Sequence, residues 1–265
     1  MLSLKTKSDP PPPSADESPA LVDDDYWTSS RRPLSCLIFL LPLLGLYEIG
    51  VLWLGGSEPA SYRNGADHWM RAALQEIGLV QVHVLPALVI GLLLAWHLGG
   101  RYSWKVDRET LLGMLAESLL FALTLVVMGQ VQNLAFAETN DASMPVSNAL
   151  GASGLSKVVS YVGAGVYEEV LFRLWMLPLF YVVFYVIFRS SKWAAGTAIL
   201  VTSVLFSLAH YVGPNGDTFS ALTFSFRALA GAFFALLFLL RGFGITVGCH
   251  AAYDLLVGLV LVHDA

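Results

Sequence analysis

Three short motifs place ionisable side chains inside apolar stretches of this sequence. Carboxylates and imidazoles are the groups that most often move protons in general acid–base catalysis. Within a membrane-spanning helix each charged group costs about 2.5–3.5 kcal/mol, so its presence indicates a function. The motifs are GVYEEVLFR with Glu168, Glu169 and Arg173, FSLAHYVG with Phe206 and His210, and GCHAAYDLL with His250 and Asp254.

The two adjacent glutamates are predicted to have different surroundings. Glu169 and Arg173 are four residues apart, so they share a helix face and can form an ion pair. Glu168 points about 100° away from Glu169, on the side of the small residues Ala164 and Gly165. Small residues there leave room for a water molecule or for the backbone of another helix. We therefore expect one glutamate to be neutralised by its own helix and the other to face a cavity.

The two histidines have the same spacing to a motif partner, at Phe206-x-x-x-His210 and His250-x-x-x-Asp254. A single histidine in an apolar segment is more often a hydrogen-bonded structural residue than a catalytic one. Two histidines together with an unpaired glutamate favour a catalytic site.

The composition identifies the environment of these motifs. Of the 265 residues, 56% are hydrophobic and only 13% are charged, against about 25% charged in a typical soluble domain. Apolar runs of about 20 residues recur along the chain, which is typical of membrane-spanning helices. We predict an all-α, polytopic membrane protein with the site inside the helix bundle. The basic residues form no clustered stripe, so nucleic acid is not an expected partner.

Seven spans are predicted, at about 34–54, 79–98, 110–137, 154–188, 193–212, 219–240 and 244–263. The fourth is long for one span, and dividing it near Arg173 would give eight. We predict a protein of the cell membrane with its N-terminus in the cytoplasm. In this orientation only Arg63 and Arg71 lie clearly on the outer side, in keeping with the positive-inside rule. The segment ADHWMRAALQEIG predicts a helix at the membrane surface, with Trp69, Met70, Ala73, Leu74 and Ile77 on one face.

The chain before the first span has a different composition. Residues 1–32 are rich in Pro, Ser and Asp, which predicts a disordered tail before a transmembrane domain at 33–265. Cys36 and Cys249 lie in apolar segments without a neighbouring histidine at metal-ligand spacing, so they are expected to be buried.

The three motifs, in this order and within apolar segments, resemble those of the CAAX-protease and bacteriocin-processing family (CPBP or Abi). These are intramembrane glutamic endopeptidases, and they include the type II CAAX prenyl endopeptidases. The segment FRALAGAFFALLFLLRGFGITVGCHAAYD also resembles the closing helices of that family. The resemblance covers about residues 155–262. It implies a peptide-bond hydrolase that acts on a membrane-anchored peptide or protein and needs no cofactor.

The resemblance also implies a role for each residue. Glu168 would be the general base that activates water, and His210 would bind that water or donate a proton. His250 would donate to the developing oxyanion. Glu169 and Arg173 would form a supporting ion pair, with Phe206 as part of the second motif.

Asp254 departs from the pattern, because many members of the family have Asn at this position. An ionised carboxylate cannot donate to an oxyanion. Asp254 is therefore either protonated, or it accepts a hydrogen bond from His250 and fixes the tautomer of that ring. We favour the second reading.

Two other functions fit the same residues. Glu168, His210 and His250 could be the zinc ligands of a membrane metalloprotease, although the HExxH pattern is absent. The fold could also serve a non-catalytic immunity or scaffold protein, because a fold does not fix a function. Glu168 distinguishes these classes, since a protease needs its carboxylate and a scaffold should tolerate Gln.

The predicted spans contain one inconsistency. His210 lies near the outer end of its span and His250 near the inner end of another, yet both must reach Glu168. The polar segment GPNGDT, residues 213–218, is expected to dip into a cavity there. The remaining polar residues of the spans are expected to line helix contacts or the cavity (Glu48, Glu117, Gln130, Gln132 and Asn133) or to snorkel toward headgroups (Lys157 and Arg227).

Overall fold

The computed structural model describes residues 25–136, 154–213 and 216–260, and this part of the chain is helical without strands. The prediction of an all-α membrane protein is confirmed. The α-helices are α1 (Tyr26–Arg31), α2 (Pro33–Gly55), α3 (Gly65–Glu76), α4 (Val84–Gly99), α5 (Arg108–Phe136), α6 (Gly154–Glu169), α7 (Leu177–Phe188), α8 (Ser191–Ala209), α9 (Ala221–Arg241) and α10 (Phe243–Leu255).

Seven apolar helical segments lie at the predicted spans within the described residues. Five are long and apolar enough to cross a membrane: Pro33–Gly55, Arg108–Phe136, Gly154–Phe188, Ser191–Ala209 and Ala221–Arg241. Val84–Gly99 and Phe243–Leu259 are shorter apolar helices. The chain is therefore a multi-pass membrane protein.

The long fourth span is one continuous helical segment with an irregular turn. A π-helical segment, Val170–Met176, joins α6 to α7 directly after the two glutamates. Because a π-turn changes the direction in which the following side chains point, such segments often occur at functional sites. The segment therefore sets the direction of Arg173 relative to the glutamates.

Helix α10 is the centre of the bundle. Every residue from Phe243 to Ala251 is buried, and α10 packs against α2, α5, α6 and α9. A helix that is apolar and buried on all sides is an interior helix. Protein surrounds α10, so its ends do not have to match the two surfaces of the bilayer.

Helix α6 and helix α10 approach closely at Gly165. A Cβ atom at this position would lie 2.6 Å from the backbone nitrogen of Ala251. The sequence suggests that the small residues beside Glu168 leave room either for a water molecule or for the backbone of another helix. At Gly165 the structure shows the second arrangement.

The N-terminal boundary of the folded domain differs from the prediction. Helix α1, within the predicted tail of residues 1–32, packs on α5 and α9. The reason is Arg241, whose guanidinium pairs with Glu117 at 2.7 Å and lies 3.7 Å from the centroid of the Trp27 ring. Helix α1 covers this buried charge, and Ser30 is fully buried. Residues 1–24 of the predicted tail lie outside the described residues.

A second buried charge cluster joins α2, α3 and α6. Asp67 is fully buried and pairs with Arg63 at 2.6 Å and with Arg71 at 2.5 Å. Both arginines also contact Glu48, at 3.2 and 3.0 Å. Tyr167, next to Glu168 in the chain, donates to the same glutamate. The cluster thus holds the end of α6 that carries Glu168 and Glu169.

Helix α3 buries part of the predicted apolar face. Met70 is buried together with Ala66 and Asp67, and Leu74 packs against the same core, whereas Ile77, which follows the helix, is 71% exposed. The buried side of α3 also contains Asp67, which its ion pairs keep compensated, since a buried carboxylate must stay paired.

Gly165→Ala tests the close packing of α6 on α10. Because the added methyl group meets backbone, we expect a loss of about 1–3 kcal/mol in the free energy of unfolding. Denaturant titration of the purified protein in detergent measures this loss. Gly45→Ala is the matched control, because a Cβ there meets nothing within 4 Å. Equal stability of the two variants would contradict the packing argument.

Candidate active site

The structure brings the three motifs together around α10. Glu169 ends α6, Arg173 lies in the π-helical segment, His210 follows the last residue of α8, and His250 is central in α10. Glu169 is fully buried, while the side chain of Glu168 is 16% exposed. The two glutamates therefore have the different surroundings that their helical spacing predicts.

Glu169 contacts two cationic or ionisable partners. Its Oε2 lies 3.1 Å from Nε of Arg173, which is the expected ion pair. Its Oε1 lies 2.7 Å from Nδ1 of His250. A carboxylate that pairs with a guanidinium is an acceptor, so Nδ1 of His250 is the donor. Glu169 therefore orients His250 in addition to neutralising Arg173.

Aromatic rings enclose the buried guanidinium of Arg173. Its central carbon lies 4.6 Å from the centroid of Phe206 and 5.3 Å from that of Phe234. One terminal nitrogen donates to the carbonyl oxygen of Gly231 at 3.1 Å. Phe206 thus stabilises the cation by a cation–π contact. Phe234 also stacks on His250, with ring centroids 4.5 Å apart.

Both histidines direct Nε2 toward Glu168. Nδ1 of His210 lies 2.8 Å from the carbonyl oxygen of Phe206 and donates to it, and Nδ1 of His250 donates to Glu169. The two Nε2 atoms are each 3.9 Å from Oε2 of Glu168. That carboxylate oxygen is buried and has no hydrogen-bond partner among the described residues.

These distances are suited to a shared small ligand. A separation of 3.9 Å is too long for a direct hydrogen bond. It is a distance that a bridging water can span. Each imidazole therefore lies within reach of Glu168 through a bridging water.

Asp254 does not have the role that the sequence analysis favours. Its Oδ2 lies 3.6 Å from Nε2 of His250, beyond hydrogen-bond distance. Nδ1 of the same ring is occupied by Glu169. The carboxylate that fixes the tautomer of His250 is thus Glu169, and Asp254 lies on the Glu168 side of the ring.

The predicted mismatch in depth between His210 and His250 does not occur. The inconsistency rests on the assumption that every span begins and ends at the membrane surfaces. Helix α10 is interior, and its position is set by packing. His250 is the eighth residue of α10, and its ring reaches Glu168 beside that of His210.

Three contributors to this site were missed from the sequence. They are the contact of Glu169 with His250, the stacking of Phe234 and the carbonyl oxygen of Gly231. Glu169 and His250 are 81 residues apart, so no local spacing indicates their contact. Phe234 lies in the apolar segment FFALLF, where nothing distinguishes it from a lipid-facing residue.

No group of three metal-ligating side chains in the described ranges is arranged to hold an ion. Cys36 and Cys249 are buried and free, as their apolar surroundings predict.

The ion pair of Glu169 and Arg173 predicts a specific pattern of stability. Either Glu169→Gln or Arg173→Met should lower the free energy of unfolding by about 3–5 kcal/mol, because each leaves a buried charge without its partner. The double variant should regain much of this loss, since a neutral amide and a thioether need no counter-charge. Denaturant titration in detergent measures all three. Additive losses in the double variant would show that the two side chains act independently.

One comparison with known proteins gives a match. The family model for Rce1-like type II CAAX prenyl endopeptidases matches residues 152–256, a range that contains all three motifs. No curated protein and no solved structure matches the chain significantly. The Rce1-like family is a protease family, and the resemblance predicted from the motifs is confirmed. This match covers less than half of the 265-residue chain. Over residues 152–256 the chain is similar to the Rce1-like type II CAAX prenyl endopeptidases.

Proposed function

We propose that this protein is an intramembrane endopeptidase that hydrolyses a peptide bond of a membrane-associated substrate with a water activated by Glu168. The observation that carries this proposal is the position of Oε2 of Glu168, 3.9 Å from Nε2 of both His210 and His250. A base, a water-binding group and an oxyanion donor are the parts that such a hydrolysis needs.

The reaction begins with a proton transfer from water to Glu168. As the proton leaves, the water oxygen attacks the carbonyl carbon of the scissile bond. His210 holds the same water through Nε2. The proton taken by Glu168 then passes to the leaving nitrogen, so the products are a carboxylic acid and an amine.

His250 is the donor to the oxyanion of the tetrahedral intermediate. Three carboxylates lie around its ring, those of Glu168, Glu169 and Asp254. They compensate a protonated imidazole, in which both ring nitrogens donate. One nitrogen binds Glu169 and the other is directed at the reacting carbonyl. A donor held in place before the reaction gains strength where water is scarce.

Glu168→Gln should abolish cleavage and preserve the fold. The amide has nearly the shape of the carboxylate but cannot accept the proton of water. We would compare the protein termini of membranes from host cells that express the wild type or the variant at equal levels. Glu76→Gln is the matched control, because Glu76 is exposed at the end of α3. Peptide ends that occur with the wild type and the control alone would also identify substrates.

The same comparison separates the two competing functions. A parallel set of samples contains a chelator. Loss of the peptide ends with chelator would replace the glutamic mechanism with a zinc-dependent one. Identical termini in all samples, with each protein folded, would favour the immunity or scaffold role.

Asp254→Asn should retain cleavage within about tenfold of the wild-type kcat/KM. The reason is that Glu169 fixes the tautomer of His250, and an amide at position 254 can still donate or accept a hydrogen bond. Peptide cleavage kinetics of the purified variant measure this. A loss as large as that of Glu168→Gln would mean that the charge of Asp254 is needed for the reaction.

A further inference from the structure

His210 lies just beyond the end of α8, so the hydrogen bonds of that helix do not hold its backbone in place. Helix α8 ends at Ala209, and the backbone nitrogen of His210 already belongs to a turn, with Ser207 as its acceptor. The last turn of a helix frays readily because its carbonyl groups lack partners in the helix. A side chain that must hold a water within a fraction of an ångström therefore needs support from outside α8.

Asp217 supplies this support through its backbone. Its N–H donates to the carbonyl oxygen of His210 at 2.9 Å. This hydrogen bond satisfies one of the carbonyl groups at the end of α8. The polar segment 213–218, predicted to dip into a cavity, thus contacts the site through Asp217, while residues 214 and 215 lie outside the described residues.

The side chain of Asp217 is tied to α9. Its Oδ2 lies 2.5 Å from a terminal nitrogen of Arg227. The Arg227 side chain is only 16% exposed. The attraction between the two charges is therefore stronger than it would be between the same groups in water. The sequence analysis expects Arg227 to snorkel toward headgroups, and the structure shows in addition that its guanidinium has a carboxylate partner, Asp217.

Arg227 also contacts the residue that follows His210. Its guanidinium carbon lies 5.4 Å from the ring centroid of Tyr211, and the hydroxyl of Tyr211 lies 2.9 Å from Oγ1 of Thr223 on α9. Backbone and side-chain contacts thus connect one arginine of α9 to the carbonyl group of His210 and to the residue that follows it.

We propose that Arg227 and Asp217 form a positioning pair that holds His210 in the geometry needed to bind the attacking water. Neither residue is required to touch the substrate. The pair acts through the Asp217–His210 backbone hydrogen bond, and its role in the reaction rests on the function proposed above. It makes α9 part of the catalytic apparatus through a residue outside the three motifs.

The kinetic test compares Arg227→Met with the wild type. The probe is a fluorogenic membrane-anchored peptide with the sequence of a cleavage site found for the wild type. We expect kcat to fall about 10- to 100-fold, since small displacements of a catalytic group have effects of this size. KM should stay within about twofold, because substrate binding is not altered. Arg227→Lys, and the exchanged pair Asp217→Arg with Arg227→Asp, should each recover part of kcat.

The second measurement does not depend on activity. Hydrogen–deuterium exchange reports the amide of Asp217, which the pair protects. Arg227→Met should accelerate its exchange, and the exchanged pair should slow it again. Arg241→Met is the control: this arginine lies about 21 Å further along α9 and has its own carboxylate partner, Glu117. It should reduce overall stability without a selective effect on the amide of Asp217.

The two measurements separate the two proposals. Unchanged exchange in Arg227→Met, or a kcat equal to that of the wild type, would overturn the positioning pair. The proposal would also be overturned if Arg241→Met lowered kcat and accelerated exchange of the Asp217 amide as much as Arg227→Met does. Both effects would then come from general destabilisation. If the wild type cleaves nothing while exchange responds as expected, the proposed function fails and the pair is only a structural contact.

Discussion

The buried carboxylate of Glu169 is the contact on which the arrangement of this site depends. It accepts from His250 on α10 and pairs with Arg173 in the π-helical segment. Removing a charge from water inside a membrane protein costs several kcal/mol unless a partner compensates it. Glu169 has one partner on α10 and one in the π-helical segment. Moving either element would leave the buried charge without a partner, so the contacts that stabilise the charge also fix the positions of the two elements. The direction of Nε2 of His250 toward Glu168 follows from that constraint.

The other buried charges of the described residues follow the same rule. Glu117 and Arg241 join α5 to α9, and Arg63, Asp67 and Arg71 join α3 to Glu48 of α2. Apolar packing alone leaves helices free to slide and rotate in lipid, because lipid tails are as apolar as the side chains. Ion pairs between helices specify one rotation and one depth. Charges that looked costly in the sequence are thus what determines the geometry of the bundle.

Close backbone approach provides the second constraint. Gly165 lets α10 lie against α6 at the level of Ala251, so the glutamates and His250 meet without long side chains between them. A short path from backbone to reacting group limits the motion of that group. The GVYEEVLFR motif therefore combines a small residue, which allows α6 and α10 to approach closely, with ionisable residues, which make contacts between those helices.

The sequence alone determined the membrane class, the approximate positions of the spans, and the separation of Glu168 from Glu169 on two helix faces. These depend on local composition and on the period of one helix, which neighbouring residues define completely. Only the tertiary structure decided that Glu169 rather than Asp254 orients His250, that α10 is interior, and that Arg227 is paired with Asp217. Each of these depends on contacts between separate elements. Which side chains make such a contact is decided by their distance in the folded chain and by the need to compensate a buried charge. No spacing within one helix contains that information.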